Sequence, residues 1–181
     1  MKKIIKHSIS IISSCILLLM LAACGSPSSS LLSSITLEPG KVISFAQEIA
    51  GGQANGWSLP DSGGTWSDSD SPVLNFDYDK PFNAGINLTL SLLSFVNPKN
   101  PNISVSVYAN DEFVKELKFD EAKPSADVSL VISKEILSKN TGALTLRFDI
   151  TNAAIPRKLG INLDGRTLGI FLMRMVATPT P

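Results

Sequence analysis

The sequence has almost none of the side chains that most catalytic and metal-binding sites use. Its 181 residues include one histidine and two cysteines. His7 and Cys15 lie within the first 23 residues, and Cys24 follows directly. If cleavage removes residues 1–23, the remaining chain has no histidine, and Cys24 is its single thiol. Disulfides, Ser-His-Asp triads, Cys-His pairs and histidine-ligated zinc sites are thereby excluded.

The first 23 residues have the layout of an export signal. Lys2, Lys3 and Lys6 precede an apolar run over residues 9–20 that only three serines interrupt. The run is shorter than the roughly 20 residues that a membrane-spanning helix needs. An ordinary secretory signal cleaved near Ala23 is one interpretation of this pattern.

Residues 21–24, Leu-Ala-Ala-Cys, favour a more specific interpretation, because they resemble the lipobox of bacterial lipoproteins. The resemblance implies a signal peptide over residues 1–23, cleavage before Cys24, and lipid on that residue as the partner of a membrane. In such lipoproteins an aspartate after the cysteine is the usual signal for retention in the inner membrane. Gly25 stands there in this chain, which favours the outer over the inner membrane, facing the periplasm or the exterior.

Charge and composition limit the partners of the remaining chain. Residues 1–23 hold three of the 16 basic residues and none of the 16 acidic ones, which leaves 13 basic residues and a net charge of −3. A small negative charge argues against nucleic acid as a partner and against a basic surface for lipid headgroups. Residues 24–34 begin with the cysteine and are rich in serine, so we expect them to form a flexible tether.

After the tether, short segments of alternating apolar and polar residues are separated by turn signals. The clearest segment covers residues 86–95, where the apolar residues 86, 88, 90 and 92 alternate with polar ones. Eight or nine such segments predict an all-β fold, an antiparallel jelly-roll-like β-sandwich over residues 35–177, with residues 178–181 as a C-terminal tail. Residues 50–72 predict a long loop, and residues 133–139 predict one short helix.

Three motifs in the predicted sandwich carry a second resemblance. They are Gly-Trp-Ser-Leu-Pro-Asp at residues 56–61, Gly-Thr-Trp-Ser at 64–67 and Asp-Gly-Arg-Thr-Leu-Gly at 164–169. Together with a strand that turns at residues 110–111, they resemble the β-sandwich domain appended to bacterial membrane-bound phosphoglycerol transferases and related cell-envelope sugar-transfer proteins. The resemblance covers roughly residues 44–176 and implies the sandwich fold. It implies no transferase activity, because the sequence contains no transferase domain.

Four side chains in these motifs are candidates for contacting a ligand. Trp57 and Trp66 can stack on the apolar faces of sugar rings, with Asp61 and Arg166 supplying polar contacts. The alternative for each tryptophan is that it fills an open end of the sandwich, since tryptophan is mostly buried in proteins. For Asp61 and Arg166 the alternative is a structural ion pair that fixes the long loop, with Asp164 as a competing partner.

These patterns predict a non-catalytic lipoprotein of the cell envelope that binds glycan or another envelope component. The alternative is a structural or assembly lipoprotein that docks a protein partner. A glycosidase needs two carboxyl groups roughly 5–9.5 Å apart, and no such pair stands out. Asp68 and Asp70 resemble half of a calcium-binding loop, but the glutamate that would complete it is missing. We expect no enzyme activity, no metal and no cofactor.

Overall fold

The computed structural model describes residues 35–46, 55–79 and 82–181, which contain ten β-strands, one short α-helix and a 3-10 helix at Phe82–Ala84. The strands are β1 (Ile35–Leu37), β2 (Val42–Ser44), β3 (Thr65–Trp66), β4 (Val73–Tyr78), β5 (Gly85–Ser94), β6 (Asn102–Ala109), β7 (Glu112–Asp120), β8 (Ser125–Ser133), β9 (Ala143–Thr151) and β10 (Ile170–Pro179). The helix, α1 (Lys134–Ser138), lies between β8 and β9. The predicted signal peptide, Cys24 and the predicted tether lie outside the described residues and stay predictions.

The strands pair into two five-stranded sheets. Sheet A has the order β1-β4-β9-β6-β7. Sheet B has the order β2-β10-β5-β8, and the two-residue strand β3 pairs with β10 along the same edge as β2. Neighbouring strands run antiparallel except for β1 and β4, which are parallel. The predicted jelly-roll-like β-sandwich is confirmed, with ten strands where eight or nine were expected.

The core lies between the sheets and is built from every second residue of the strands. In β5 the four apolar side chains from Ile86 to Leu92 that alternation turns inward have no exposed surface. In sheet A, β9 contributes Leu144, Leu146 and Phe148 in the same way. Burying one such side chain contributes about 1.5–3 kcal/mol, so the period of two selects the face that each strand turns to the core.

Two segments differ from the sequence-based expectation. Strand β3 lies inside the predicted loop 50–72, because its backbone pairs with Phe171 and Leu172 of β10. The last strand includes residues 178 and 179, which were expected in the C-terminal tail, because the backbone there continues to pair with β5. The predicted helix is confirmed as α1, and no helix in the described parts of the chain is long and apolar enough to cross a membrane.

A tight turn at Asn110 and Asp111 joins β6 to β7, where the sequence predicts it. The two φ angles are 47° and 65°, as in a type I′ hairpin turn. The amide group of Asn110 donates to the carbonyl oxygen of Ile136 at 3.2 Å, and its Oδ1 accepts from the N–H of Thr145 at 2.9 Å. Asn110 therefore fixes the turn against α1 and β9. Asp111 occupies the second position of the turn, where glycine is the preferred residue.

Replacing Asp111 with glycine should stabilise the domain. Glycine adopts the left-handed conformation without the steric cost that other residues carry there, although its greater freedom in the unfolded chain offsets part of the gain. We expect Asp111→Gly to raise the free energy of unfolding by about 0.5 kcal/mol, measured by urea denaturation. Asp111→Ala is the matched control and should lower it by about 0.5–1 kcal/mol. A destabilised Asp111→Gly variant would contradict this account of the turn.

Candidate functional site

The loop that carries both tryptophans folds into a small hairpin against the start of β10. The N–H of Ser58 donates to the carbonyl oxygen of Trp66 at 2.8 Å. Asp61 and Gly64 close the turn of the hairpin with two backbone bonds of 2.7 and 3.2 Å. At the other end of the hairpin, Trp66 stands opposite Phe171 of β10. The hairpin is thus an extension of sheet B.

The hydroxyl of Ser67 joins this hairpin to the segment that leads into β10. Ser67 has no exposed surface, and its Oγ accepts from the N–H groups of Gly169 and Ile170 at 2.9 and 3.1 Å. Beside it, a carboxylate oxygen of Asp68 accepts from the N–H of Thr167 at 2.8 Å. Buried N–H groups are costly to leave without a partner, so these bonds hold the segments together. The three motifs singled out in the sequence therefore meet at one end of the sandwich.

Gly64 allows the hairpin to lie directly on β10. A Cβ atom at this position would be 2.4 Å from the carbonyl oxygen of Leu172 and 2.9 Å from the ring of Phe171. The backbone oxygen belongs to a paired strand and cannot move away cheaply. The glycine of the second motif is therefore explained by this close approach.

Trp57 is a core residue and offers no surface for stacking. Its side chain is 4% exposed, and its ring meets Phe148 edge-on with centroids 5.8 Å apart. Its Nε1–H donates to the carbonyl oxygen of Val73 at 3.1 Å. A ring that stacks on a sugar needs one free face, so the structure corrects the prediction that Trp57 contacts a ligand. Trp57 instead fills one end of the core, which was the alternative for a side chain of this size.

Trp66 points away from the core, on the outer face of sheet B. It stands opposite Phe171, whose neighbours Ile170 and Leu172 are fully buried, so Trp66 and Phe171 share the face turned away from sheet A. The Trp66 ring lies 5.0 Å from Phe171 and meets Phe95 edge-on at 6.1 Å, measured between centroids. Trp66, Phe95 and Phe171 form an aromatic cluster in which the indole remains partly exposed.

A row of polar side chains crosses the same face beside the aromatic cluster. Arg174, Ser91 and Asp127 lie opposite one another on β10, β5 and β8. The Nε–H of Arg174 donates to Ser91 Oγ at 2.9 Å, and the Ser91 hydroxyl donates to Asp127 Oδ1. Leu93, which pairs with Phe171, is two residues from Ser91, so the polar row runs about 7 Å from the cluster.

Of this surface, the sequence analysis identified only Trp66. A strict alternation from Ile170 and Leu172 would turn Arg174 inward. A β-bulge between Leu172 and Arg174 shifts the phase and turns Arg174 outward. Ser91 and Asp127 come from strands whose register a single sequence does not specify. The polar row is therefore visible only once the strands are paired.

Arg166 pairs with Asp164, the competing partner, and not with Asp61. Its Nε and Nη2 donate to the Asp164 carboxylate at 2.7–3.1 Å, and its backbone N–H donates to Oδ1 of the same residue at 2.9 Å. The Arg166 guanidinium holds the pKa of the Asp164 carboxyl below its usual range. Asp61 is exposed, and its Oδ1 accepts from the N–H of Ser62. The predicted Asp61–Arg166 pair is thereby corrected, and any ligand contact of these two residues stays a prediction.

The two residues that resembled part of a calcium loop accept hydrogen bonds from backbone N–H groups. Asp68 binds the N–H of Thr167, as described above, and the carbonyl oxygen of Asp70 accepts from the N–H of Ile150 at 2.7 Å. Across residues 35–46, 55–79 and 82–181, no three His, Cys, Asp or Glu side chains are grouped so as to hold a metal ion.

No protein-family model and no curated protein matches the sequence. Among solved structures, the chain is similar to the CBM36-1 domain of a multidomain xylanase from the hindgut metagenome of Trinervitermes trinervoides, with 12% identity, a TM-score of 0.46, and 78% of this chain and 98% of that chain covered. It is also similar to the carbohydrate-binding module CBM36 in complex with calcium and xylotriose, with 10% identity, a TM-score of 0.41, and 76% and 99% covered.

A third similar structure is the insecticidal delta-endotoxin Cry8Ea1 from Bacillus thuringiensis. It shares 13% identity with the chain, the TM-score is 0.39, and the match covers 61% of this chain and 18% of the toxin. The resemblance of residues 44–176 to the domain of phosphoglycerol transferases stays a prediction.

Ser67→Ala should be one of the most damaging small substitutions in the domain. It leaves the buried N–H groups of Gly169 and Ile170 without an acceptor, and each such loss costs about 1–3 kcal/mol. We expect the free energy of unfolding in urea to fall by about 2–4 kcal/mol. Ser62→Ala, in the exposed turn of the same hairpin, is the control and should change it by less than about 0.5 kcal/mol. Similar small effects of both substitutions would refute the role given to Ser67.

The ion pair of Asp164 with Arg166 predicts how stability depends on pH. Because it lowers the pKa of Asp164 in the folded state, it stabilises the fold above the ordinary carboxyl pKa of about 3.9 and is lost as pH falls through the lower folded-state value. Asp164→Asn keeps an acceptor for the backbone bond but removes the charge. Allowing for partial exposure, we expect the variant to be about 1 kcal/mol less stable than wild type at neutral pH. The two should converge once pH has fallen below the lowered folded-state pKa of Asp164, and an equal deficit in strong acid and at neutral pH would contradict the assignment.

Proposed function

We propose that this chain is a membrane-anchored lipoprotein of the cell envelope whose β-sandwich binds glycan on the outer face of sheet B. One observation carries the proposal. A partly exposed indole, Trp66, lies beside a hydrogen-bonded row of polar side chains on the outer face of sheet B. Arg174 and Asp127, at the two ends of that row, are both exposed.

Each part of this surface matches a part of a sugar. The C–H groups of a pyranose pack on an aromatic ring, and the other two rings of the aromatic cluster hold Trp66 in position for that contact. Sugar hydroxyls both donate and accept hydrogen bonds, and the row offers a cation at Arg174 and a carboxylate at Asp127. Arg174 uses its Nε–H on Ser91, and the remaining N–H groups of a guanidinium suit neighbouring hydroxyls.

The polar row is ordered before any ligand binds. Ser91 is 6% exposed and links the two charged side chains, which limits the rotamers that each can adopt. Side chains that are already ordered lose little conformational freedom on binding. An open sheet face also suits an extended polymer better than a small molecule, which binds in a cleft. The geometry therefore favours a chain of sugar units lying across the strands.

The predicted lipid on Cys24 places this surface near a membrane. Two or more acyl chains give stable attachment, and a serine-rich tether of about ten residues spans roughly 18 Å root-mean-square. The proposed location is the outer rather than the inner membrane, because Gly25 follows the cysteine. The proposed role is binding, and we assign no catalytic residue.

A second candidate function is docking of a protein partner on the outer face of sheet A. Phe113 is 56% exposed and meets Tyr108 edge-on, with ring centroids 5.8 Å apart. The guanidinium of Arg147 lies 4.2 Å from the centroid of the Tyr108 ring and also pairs with Asp149. Aromatic and arginine side chains are enriched in protein interfaces, which matches the structural or assembly role considered above.

Trp66→Ala should greatly weaken binding of envelope oligosaccharides. We expect the Kd for soluble peptidoglycan fragments or for lipopolysaccharide core oligosaccharide to rise at least about tenfold, because a central aromatic contact is worth more than about 1.4 kcal/mol. Isothermal titration calorimetry on the full chain measures this Kd without depending on tryptophan emission. Arg174→Ala should raise it by about three- to tenfold.

Phe113→Ala is the matched control for this experiment, since it removes an exposed aromatic ring from the other sheet and should leave the Kd unchanged. If wild type binds neither oligosaccharide, or if Trp66→Ala binds as tightly as wild type, the proposal is wrong. Loss of a protein partner from Phe113→Ala alone would support the second candidate.

A further inference from the structure

The loop between β9 and β10 exposes two large apolar side chains at its tip. Leu163 is 90% exposed and Ile161 is 43% exposed. Single exposed leucines are common on protein surfaces, but these two lie two residues apart at the tip of one loop. Residues 155–166, which we call the tip loop, therefore present a small apolar projection to the surroundings.

The tip loop is held rigidly, so this exposure is a feature of its folded shape. The N–H of Arg157 donates to the carbonyl oxygen of Asp164 at 2.9 Å, which closes the loop at its base. The N–H of Ile161 donates to the carbonyl oxygen of Pro156 at 3.0 Å. From outside the loop, the amine of Lys99 donates to the carbonyl oxygen of Leu159 at 2.7 Å.

Three basic side chains lie in the tip loop or contact it. Arg157 and Lys158 are exposed within the loop, and Lys99 is exposed where it contacts the loop. Asp164, the acidic residue of the loop, is paired with Arg166 and so adds no net charge to it. An apolar tip together with basic side chains in the same loop matches the layered chemistry of an anionic bilayer, with acyl chains beneath phosphate groups.

Strand β1 runs away from the end of sheet A at which the tip loop follows β9. Strand β4 begins next to the end of β9, where the N–H of Ile150 binds the carbonyl oxygen of Asp70, and the tip loop follows β9. Strand β1 runs parallel to β4, with Ile35 opposite Phe76 and Leu37 opposite Tyr78.

We infer that the tip loop inserts Ile161 and Leu163 into the interface of an anionic membrane while Arg157, Lys158 and Lys99 bind its phosphate groups. The inference rests on the proposed anchoring of Cys24 at a membrane, and it adds a second contact that the lipid does not supply. One anchor on a flexible tether leaves the domain free to rotate, whereas two contacts fix which end faces the bilayer.

Depth-dependent quenching of a tryptophan placed at the tip tests this inference. The full-length processed protein carrying Leu163→Trp is reconstituted into vesicles of equal parts phosphatidylglycerol and phosphatidylcholine with brominated acyl chains. We expect the added emission to fall by about half, because bromine quenches only rings that enter the acyl region. Val131→Trp is the matched control: Val131 is 62% exposed near the opposite end of β8 and should show no quenching. The protein without either substitution gives the background from Trp57 and Trp66.

Charge reversal tests the basic side chains of the tip loop separately. Lys158→Glu in the Leu163→Trp protein should reduce the quenching at least about twofold, and raising the salt concentration should act in the same direction. Lys134→Glu, an equally exposed lysine in α1, is the control and should leave the quenching unchanged. If neither Leu163→Trp nor Val131→Trp is quenched, or if both are quenched equally, the inference is overturned. A protein partner would then be the remaining explanation for the exposed leucine.

Failure of this inference can be told apart from failure of the proposed function. Intact mass shows whether Cys24 carries acyl chains, and calorimetry shows whether oligosaccharide binds; neither measurement depends on Leu163. An acylated, glycan-binding protein whose Leu163→Trp ring stays unquenched would overturn the membrane contact alone. A quenched ring in a protein without acyl chains would support the membrane contact and overturn the anchor.

Discussion

The hydroxyl of Ser67 is the contact on which the arrangement of the candidate surface depends. It binds the N–H groups of Gly169 and Ile170 and so sets where β10 begins. Strand β10 pairs with β2, β3 and β5 and therefore determines the register of most of sheet B. Without this bond the hairpin would be held on β10 only by the pairing of β3 and by the bond from Thr167 to Asp68, and the position of Trp66 over Phe171 would be less firmly fixed. A buried serine that contacts no ligand thus positions the aromatic cluster.

Much of the fold could be predicted because its core follows from a local pattern, the alternation of apolar and polar residues along each strand. The alternation in β5 and β9 gives the buried face directly, and the turn at Asn110 follows from residue type. The two tryptophans show where the rule ends, since both lie in similar Trp-Ser motifs. Trp57 stands opposite fully buried Ser67 and shares its inward face, so the adjacent Trp66 must point outward. Only the pairing within the hairpin, which is not a local property, separates a core residue from a surface one.

The charge of the chain likewise differs between its net value and the local value at one loop. The net charge of −3 argued against a basic surface for lipid headgroups, yet Lys99, Arg157 and Lys158 gather at one loop. Exposed charges interact over a Debye length of about 8 Å at physiological ionic strength. A membrane close to the tip loop would therefore be affected by the charges of that loop more than by the net charge of the chain. Asp164 would weaken that local charge, but Arg166 neutralises it within the loop. Net charge is informative about the whole surface and says little about a projecting loop.

The proposed glycan surface and the tip loop lie at compatible positions on the sandwich. Both the aromatic cluster and the tip loop adjoin the start of β10, whereas the rest of the sheet face extends along strands of ten residues, or about 33 Å. A membrane contact through the loop end would leave the broad outer face of sheet B uncovered, because that face runs alongside the strands and not across their ends. Glycan would then contact Trp66 near the bilayer. It would contact the polar row farther from the bilayer. A membrane contact at the tip loop would therefore limit the direction from which a polymer can approach, which is a constraint that a freely rotating domain on a tether does not impose.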